Sequence, residues 1–376
     1  MQIGLDQIKA IRKQDNYKTN RLMLLFLLIL FILFCLSMCL RTSRVGIVSP
    51  LDAFINLKTW LQLIIAQVFE LPMYLNKHQI IAQLPLYYET VTRFKITLLT
   101  MVSGMILALS GAIYQGVFRN PIAAPTMLGV SSGVHIGILL LVLNYGGATY
   151  LMYAETYKYC YGFAMLILGI VWLAGKFVGG KNKVSVTDML IVGAVISQMT
   201  NVFVSYYRFT MDENLLQIFQ EISSGIYVNI NSLSFIVLGI AVVVSIIPIH
   251  LIRFSFNAVC LENDDSYSLG INARVMRLAA LICGTIMITA AMIHCGDVGM
   301  ISLIVPHLCR YFFGADFKNI YYGSMIFGGI LLVACRDVSA LFYFGYNGSL
   351  PIGSVVSFIA LPLFVVVLLQ QRRGWE

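Results

Sequence analysis

The stretch Leu278–Phe313, LAALICGTIMITAAMIHCGDVGMISLIVPHLCRYFF, holds only two charged residues, Asp297 and Arg310. As one helix rising about 1.5 Å per residue it would be about 54 Å long, far more than the roughly 30 Å of a bilayer's hydrocarbon core. It must therefore fold back on itself. Gly296-Asp297-Val298-Gly299 supplies the turn chemistry, and the return limb is short, with Pro306 inside it. Such a break is tolerated at membrane depth only where neighbouring protein satisfies the freed backbone groups. This one stretch predicts two crossings packed inside a larger bundle.

Working outward, further apolar runs cover 22–40, 96–118, 126–145, 159–175, 189–207 and 232–252 before it, and 320–336 and 353–370 after it. With 278–296 and 299–313, ten transmembrane helices are expected. The stretch from Val338 to Gln371 is uncharged but interrupted by Gly345-Tyr346-Asn347-Gly348 and Pro351, which predicts a loop or re-entrant piece before the last helix. Composition agrees: of 376 residues 59% are hydrophobic and 11% charged, against roughly a quarter charged in soluble domains. The expected fold is all-α and polytopic, and the lipid membrane is its first partner.

The net charge of +8 is spread over short loops between apolar runs, which argues against a nucleic-acid partner. None of the eight cysteines forms a C-x-x-C pair, and those at 35, 39, 283, 295 and 309 lie inside apolar runs as small buried side chains, giving no expected metal site. The run Leu22–Leu40 ends in Arg41-Thr42-Ser43-Arg44 where a signal peptide would end in small residues, so it reads as a retained first helix. Placing the N-terminus inside puts sixteen of the 25 basic residues on the cytoplasmic side and nine outside, which favours both termini in the cytoplasm. Residues 1–21 are then a cytoplasmic basic segment, 22–371 a single membrane domain and 372–376 a cytoplasmic tail. Segments 41–92 and 209–231 fall outside. The first has apolar patches such as Trp60–Phe69 suited to a short interfacial helix, and the second is amphipathic. Segment 253–277 falls inside.

Three stretches depart from plain hydropathy. In SGAIYQGVFRNPIAAPTMLGVSSGVHIG, Ser110–Gly137, a helix ends at Arg119-Asn120-Pro121, and the next begins with Gly129, Gly133 and Gly137. Glycines four apart share a helix face and admit another backbone. Between Arg253 and Arg277, Asn263 or Asp264 can cap a short helix that Gly270 ends, either to dock into a groove of another protein or as an ordinary connection. In GDVGMISLIVPHLCR, His307 lacks a carboxylate or second His at helical spacing and reads as a packed, hydrogen-bonded histidine. His135, His250 and His294 likewise lack carboxylate or cysteine partners at helical spacing.

These residues resemble the FecCD-type permeases of iron-siderophore, haem and cobalamin importers. The resemblance rests on Ser110-Gly111, Gln115, Arg119-Asn120-Pro121, Ala123, Pro125 and Leu128 to Gly133, then Val305-Pro306-His307-Leu308 with Arg310, then Leu350-Pro351-Ile352-Gly353, over roughly 85–373. It implies a type II ABC importer permease in the plasma (inner) membrane of a prokaryote, paired with a second permease subunit as a homodimer or heterodimer. Two ATP-binding subunits would sit beneath it and an extracytoplasmic substrate-binding protein above. The chain itself would need no cofactor, since ATP and magnesium would belong to the ATPase. Carried onto this sequence, Asn120 and Ile122 with Ser185, Val186 and Thr187 match the cytoplasmic gate. Ser266, Tyr267, Leu269 and Gly270 fall in the segment that presses into the ATPase, and Arg93 and Lys95 in the surface that docks the binding protein. The sequence departs from the family in having Arg93-Phe94-Lys95-Ile96 for Arg-Leu-Pro-Arg, Ser266 for Ala, Ser349 for an acid and Gly296-Asp297 for a Gly-Pro turn.

No G-x-x-x-x-G-K-[ST] phosphate loop occurs, and Gly179-Gly180-Lys181-Asn182 lacks its spacing, so the chain is not expected to be an enzyme that hydrolyses ATP. The competing class, an ion-coupled secondary transporter, would normally carry ionisable groups near the bilayer midplane. The predicted spans are almost free of them.

Overall fold

A computed structural model describes residues 5–39, 58, 77–146, 149–178, 186–225, 232–260, 271–341 and 350–373. Among these there are helices and no strand. In chain order they are α1 (Leu5–Cys39), α2 (Lys77–Phe118), α3 (Val130–Tyr145), α4 (Thr149–Val178), α5 (Val186–Thr210), α6 (Glu213–Ser223), α7 (Ser232–Ile252), α8 (Ala273–Cys295), α9 (Met300–Phe313), α10 (Phe317–Leu341) and α11 (Ile352–Arg373). A 3-10 turn, Pro125–Leu128, leads into α3, and a single turn, Phe256–Val259, follows α7. Seven helices are long and apolar enough to cross a membrane, and Val130–Tyr145, Met300–Phe313 and Ile352–Val365 are shorter apolar helices. These match the ten expected spans. The interfacial patch Trp60–Phe69 and the capping residues Asn263 and Asp264 lie outside the described residues.

The predicted reversal is present. Helix α8 stops at Cys295, Gly296 takes φ of 74° and donates its N–H to the Met292 carbonyl at 2.8 Å, and α9 starts at Met300 with Pro306 inside it. Several boundaries differ from the sequence reading: α1 and α4 begin at Leu5 and Thr149, ahead of the apolar runs at 22 and 159. Residues 77–92, expected within the external segment 41–92, are helix continuous with the span, and Pro85 does not end it. Helix α10 runs past Arg336 and Asp337 to Leu341. Those charges stay helical because they pair with each other and bond Thr97 and Ser37 of neighbouring helices.

Helices α2 and α8 form the centre, with 72% and 78% of their apolar windows buried, whereas α1, α5 and α7 bury about a fifth of theirs and present Leu, Ile, Val and Phe outward. Without a hydrophobic drive between helices in lipid, close backbone approach and polar bonds hold such a bundle. Both are present. A Cβ at Gly133 or Gly137 would sit 2.7 Å from the carbonyl oxygens of Phe163 and Tyr159, so the glycine stripe seats α3 on α4. Gly104 of α2 and Gly328 of α10 face each other in the same manner. The buried Tyr114 hydroxyl bonds Thr285 Oγ1 at 2.7 Å, tying α2 to α8.

Candidate functional site

The link after α2 is built by residues from two distant stretches. Arg119 adopts φ of 49°, and the Asn120 N–H donates to the Gln115 carbonyl at 3.2 Å. The Asn120 Oδ1 then accepts the Ile122 N–H at 3.0 Å, an Asx turn that fixes Pro121 at its corner. From α9, His307 Nε2 donates to the Pro121 carbonyl at 2.7 Å. Gln115 Nε2 donates to the Leu303 carbonyl at 3.0 Å, and its Oε1 accepts from Arg310 Nη1. Gly111 lies so close to the Ser302 carbonyl that any side chain there would collide with backbone. Thus Gln115 and Pro121 are held by Arg310 and His307, from a helix far along the chain. His307 is a packed, hydrogen-bonded histidine, as its sequence context suggested.

Asn120 is half-buried and Ile122 is 48% exposed at the end of the chain where α2 stops. Of the other gate candidates, Ser185 lies outside the described residues, and Val186 and Thr187 are the first two residues of α5. That helix is brought to the same link, since a Cβ at Gly193 would lie 2.6 Å from the Leu128 Cα. Ser266, Tyr267, Leu269 and Gly270 lie outside the described residues, but both flanks of their segment are anchored beside the link. Phe256 packs against Gly116 and stacks on Phe317 with centroids 3.9 Å apart, Arg277 Nε donates to the Val259 carbonyl at 3.0 Å, and Asn272 Oδ1 caps α8 by accepting the Val275 N–H at 3.3 Å. Here, beyond the membrane-spanning segments, burial pushes the Cys260 thiol up to about 11 against the pull of Arg277, Arg119 and Arg310.

About 40 Å away along α2, at about 1.5 Å per residue, Arg93 is 1% exposed and its Nη1 donates to the Ser37 carbonyl at 3.4 Å. Beside it Arg336 Nη2 contacts Asp337 Oδ1 at 2.7 Å and Thr97 Oγ1 at 3.0 Å, and Ser37 Oγ donates to the same carboxylate oxygen at 2.9 Å. The Arg93 guanidinium therefore staples α1 to α2 inside the chain, while Lys95 is partly exposed.

An open cavity of about 1510 Å³ starts at this Arg93 and Arg336 end and extends to His135 and Asp297. Helix α5 contributes Asn201, Ser205 and Arg208, the α6 region Glu221 and Ser224, and α11 Ser357 and Phe358, while Arg93, Arg336, His135 and Asp297 complete much of its polar wall. This wall was not found from sequence. Asp297 reads as a turn residue and His135 as an isolated histidine, because helical spacing reveals partners on one helix and not across four.

The chain is 28% identical over 278 residues to the hemin transport system permease protein HmuU of Yersinia pestis, covering 73% of this chain and 81% of that one. It is 28% identical over 290 residues to the iron-uptake system permease protein FeuB of Bacillus subtilis, covering 73% and 79%. A solved structure described as an inward-facing, metal-chelate type ABC transporter superposes with a TM-score of 0.72 over 93% of this chain and 99% of that one, at 20% identity, which establishes the shared fold. The family model of the FecCD transport family matches residues 27–370, from the middle of α1 to the last turns of α11. This multi-pass membrane chain belongs to the FecCD transport family.

Proposed function

We propose that the chain is the membrane-spanning permease subunit of an ATP-driven importer that passes an iron-siderophore, or a related haem or corrinoid chelate, into the cytoplasm. The observation that carries this reading is the cavity. Its volume of about 1510 Å³ exceeds the roughly 300–1,000 Å³ that suits drug-sized ligands, and its wall, which mixes Ser, Asn, Gln and Arg with Ile, Leu, Pro and Phe, suits a bulky amphipathic ligand held weakly and passed on. Phe358 lines it yet is 82% exposed, so a second permease subunit would complete the enclosure, whether a like copy or a paired one. Asn120 and Ile122, with Ser185, Val186 and Thr187, would close the cytoplasmic end. The segment holding Ser266, Tyr267, Leu269 and Gly270 would meet the two ATP-binding subunits. Lys95, more than the internally bonded Arg93, would meet the extracytoplasmic binding protein. Both termini and residues 253–277 would be cytoplasmic, and 41–92 and 209–231 external.

Two family relatives with iron- and hemin-transport names support the ligand class. The test is to co-express the chain with the ATPase and binding protein encoded beside it, purify the assembly in lipid and measure hydrolysis. The reading predicts a complex whose ATPase rate rises with the loaded binding protein. Failure of the chain to co-purify with an ATPase, or transport driven by a proton or sodium gradient alone, would replace it with the secondary-transporter reading.

A further inference from the structure

The large cavity meets a second, smaller one of about 320 Å³, and the two share three lining residues: His135, Asn201 and Asp297. The smaller cavity lies between the first turns of α3, with Ser131, and the middle of α5, with Ser197 and Gln198. Its lining includes no lysine or arginine, and Asp297 is its one charged carboxylate. Arg208, whose charge acts on His135, lines only the larger cavity.

Three details suggest an occupant. Ser131 is 7% exposed, and its Oγ is buried without a hydrogen-bond partner, a state costing roughly 1–3 kcal/mol unless something enters to satisfy it. The Ser131 carbonyl one turn back engages the His135 ring, which lines both cavities. Asp297 acts electrostatically on His135, and its only contact within the turn is a long 3.4 Å bond from the Gly299 N–H to Oδ1. Most of the carboxylate's acceptor capacity is therefore unused. This carboxylate stands where the family resemblance leads one to expect the proline of a Gly-Pro turn.

We propose that the smaller cavity is a binding site for a cationic group, with Asp297 supplying the charge, the His135 imidazole a ring nitrogen, and Ser131 and Asn201 neutral oxygens. The site stands on this geometry, whereas its place on the transport route rests on the permease reading above. The volume of about 320 Å³ admits a partly hydrated divalent metal ion or the ammonium arm of a chelate. Among the described residues no three of His, Cys, Asp and Glu gather to hold a metal. Neutral oxygens must complete the shell, which makes binding weak and exchangeable, as a passage requires.

The experiment uses the purified full chain in lipid nanodiscs, with no partner protein and no transport step, so its failure is separate from failure of the permease reading. Two probes distinguish the sources: Mn²⁺ followed by its electron paramagnetic resonance signal, and ferrioxamine B, which carries a terminal ammonium, against its N-acetylated form by equilibrium dialysis. The expected result is one saturable site per chain for Mn²⁺, for the ammonium chelate, or for both. Asp297→Asn should weaken either probe by about tenfold or more, and His135→Gln should weaken Mn²⁺ by a similar factor. Ser131→Ala, which removes only the orphan hydroxyl, should weaken the bound probe severalfold without lowering the melting temperature, and serves if Asp297→Asn fails to fold. No saturable binding of either probe, equal binding of the acetylated chelate with no Mn²⁺ site, or affinity unmoved by the folded variants would overturn the proposal.

Discussion

Gly111 shows how a single position can be fixed by backbone contact. Its Cα faces the Ser302 carbonyl so closely that a methyl group has no room, whereas a methyl group added at Gly239 on α7 would meet nothing within 4 Å. Gly111→Ala should therefore separate α2 from α9 and lower stability by about 1–3 kcal/mol, as overpacking does. Gly239→Ala should be neutral or slightly stabilising. Detergent melting curves of the two variants check the contrast. At the other end, Asp337 is the carboxylate beside Arg336, with side chains 15% and 7% exposed. Asp337→Asn leaves Arg336 without its counter-charge in a dry setting, with an expected loss of about 3–5 kcal/mol. Retention of the wild-type melting point would show that the pair is solvated. The signature residues of α2 and α9 were legible in sequence because each carries its own local pattern. Their hydrogen bonds to one another were not, since nothing in local spacing ties Gln115 to Arg310 or Pro121 to His307.

Most elements were legible because lipid leaves few options: apolar runs of span length become helices, and Gly296 to Gly299 had to turn. The misjudged edges were those where tertiary contacts offset the burial of polar residues, as at Arg336 and Asp337, or where a helix continues beyond the apolar run, as at 77–92. The link between α2 and α3 is the element with the sharpest functional expectation. Its Asx turn and the His307 bond to Pro121 hold the backbone, and the Ile122 side chain contributes little to that scaffold at 48% exposure. Trimming Asn120 and Ile122 together to Gly removes the Asx turn but leaves the His307 bond to Pro121 and the flanking helices, so it should open the barrier without dismantling the bundle. Reconstituted vesicles of that double variant should leak a small polar solute in the absence of ATP, with assembly unchanged by gel filtration. Tight vesicles holding folded protein would remove these two residues from the barrier, and an unfolded product would assign them to packing.

At the scale of the whole molecule, a central pair of helices, a bonded cluster at each end and a cavity that opens beside Arg93 and Arg336 form the frame on which the permease reading rests. Under the permease reading proposed above, the movement of a partner ATPase would arrive through segment 261–270, whose flanks are anchored beside the link at Phe256, Arg277 and Asn272. Placing a charge there with Leu269→Asp should uncouple hydrolysis from transport, since an apolar groove in the partner would have to desolvate a carboxylate. The most direct measurement of the central claim is uptake of a radiolabelled ferric chelate into vesicles holding the chain with its ATPase, supplied with loaded binding protein. Uptake that requires ATP, survives collapse of ion gradients and is lost in Leu269→Asp while hydrolysis continues is the predicted result. Uptake that ignores ATP and follows an imposed proton or sodium gradient would contradict it.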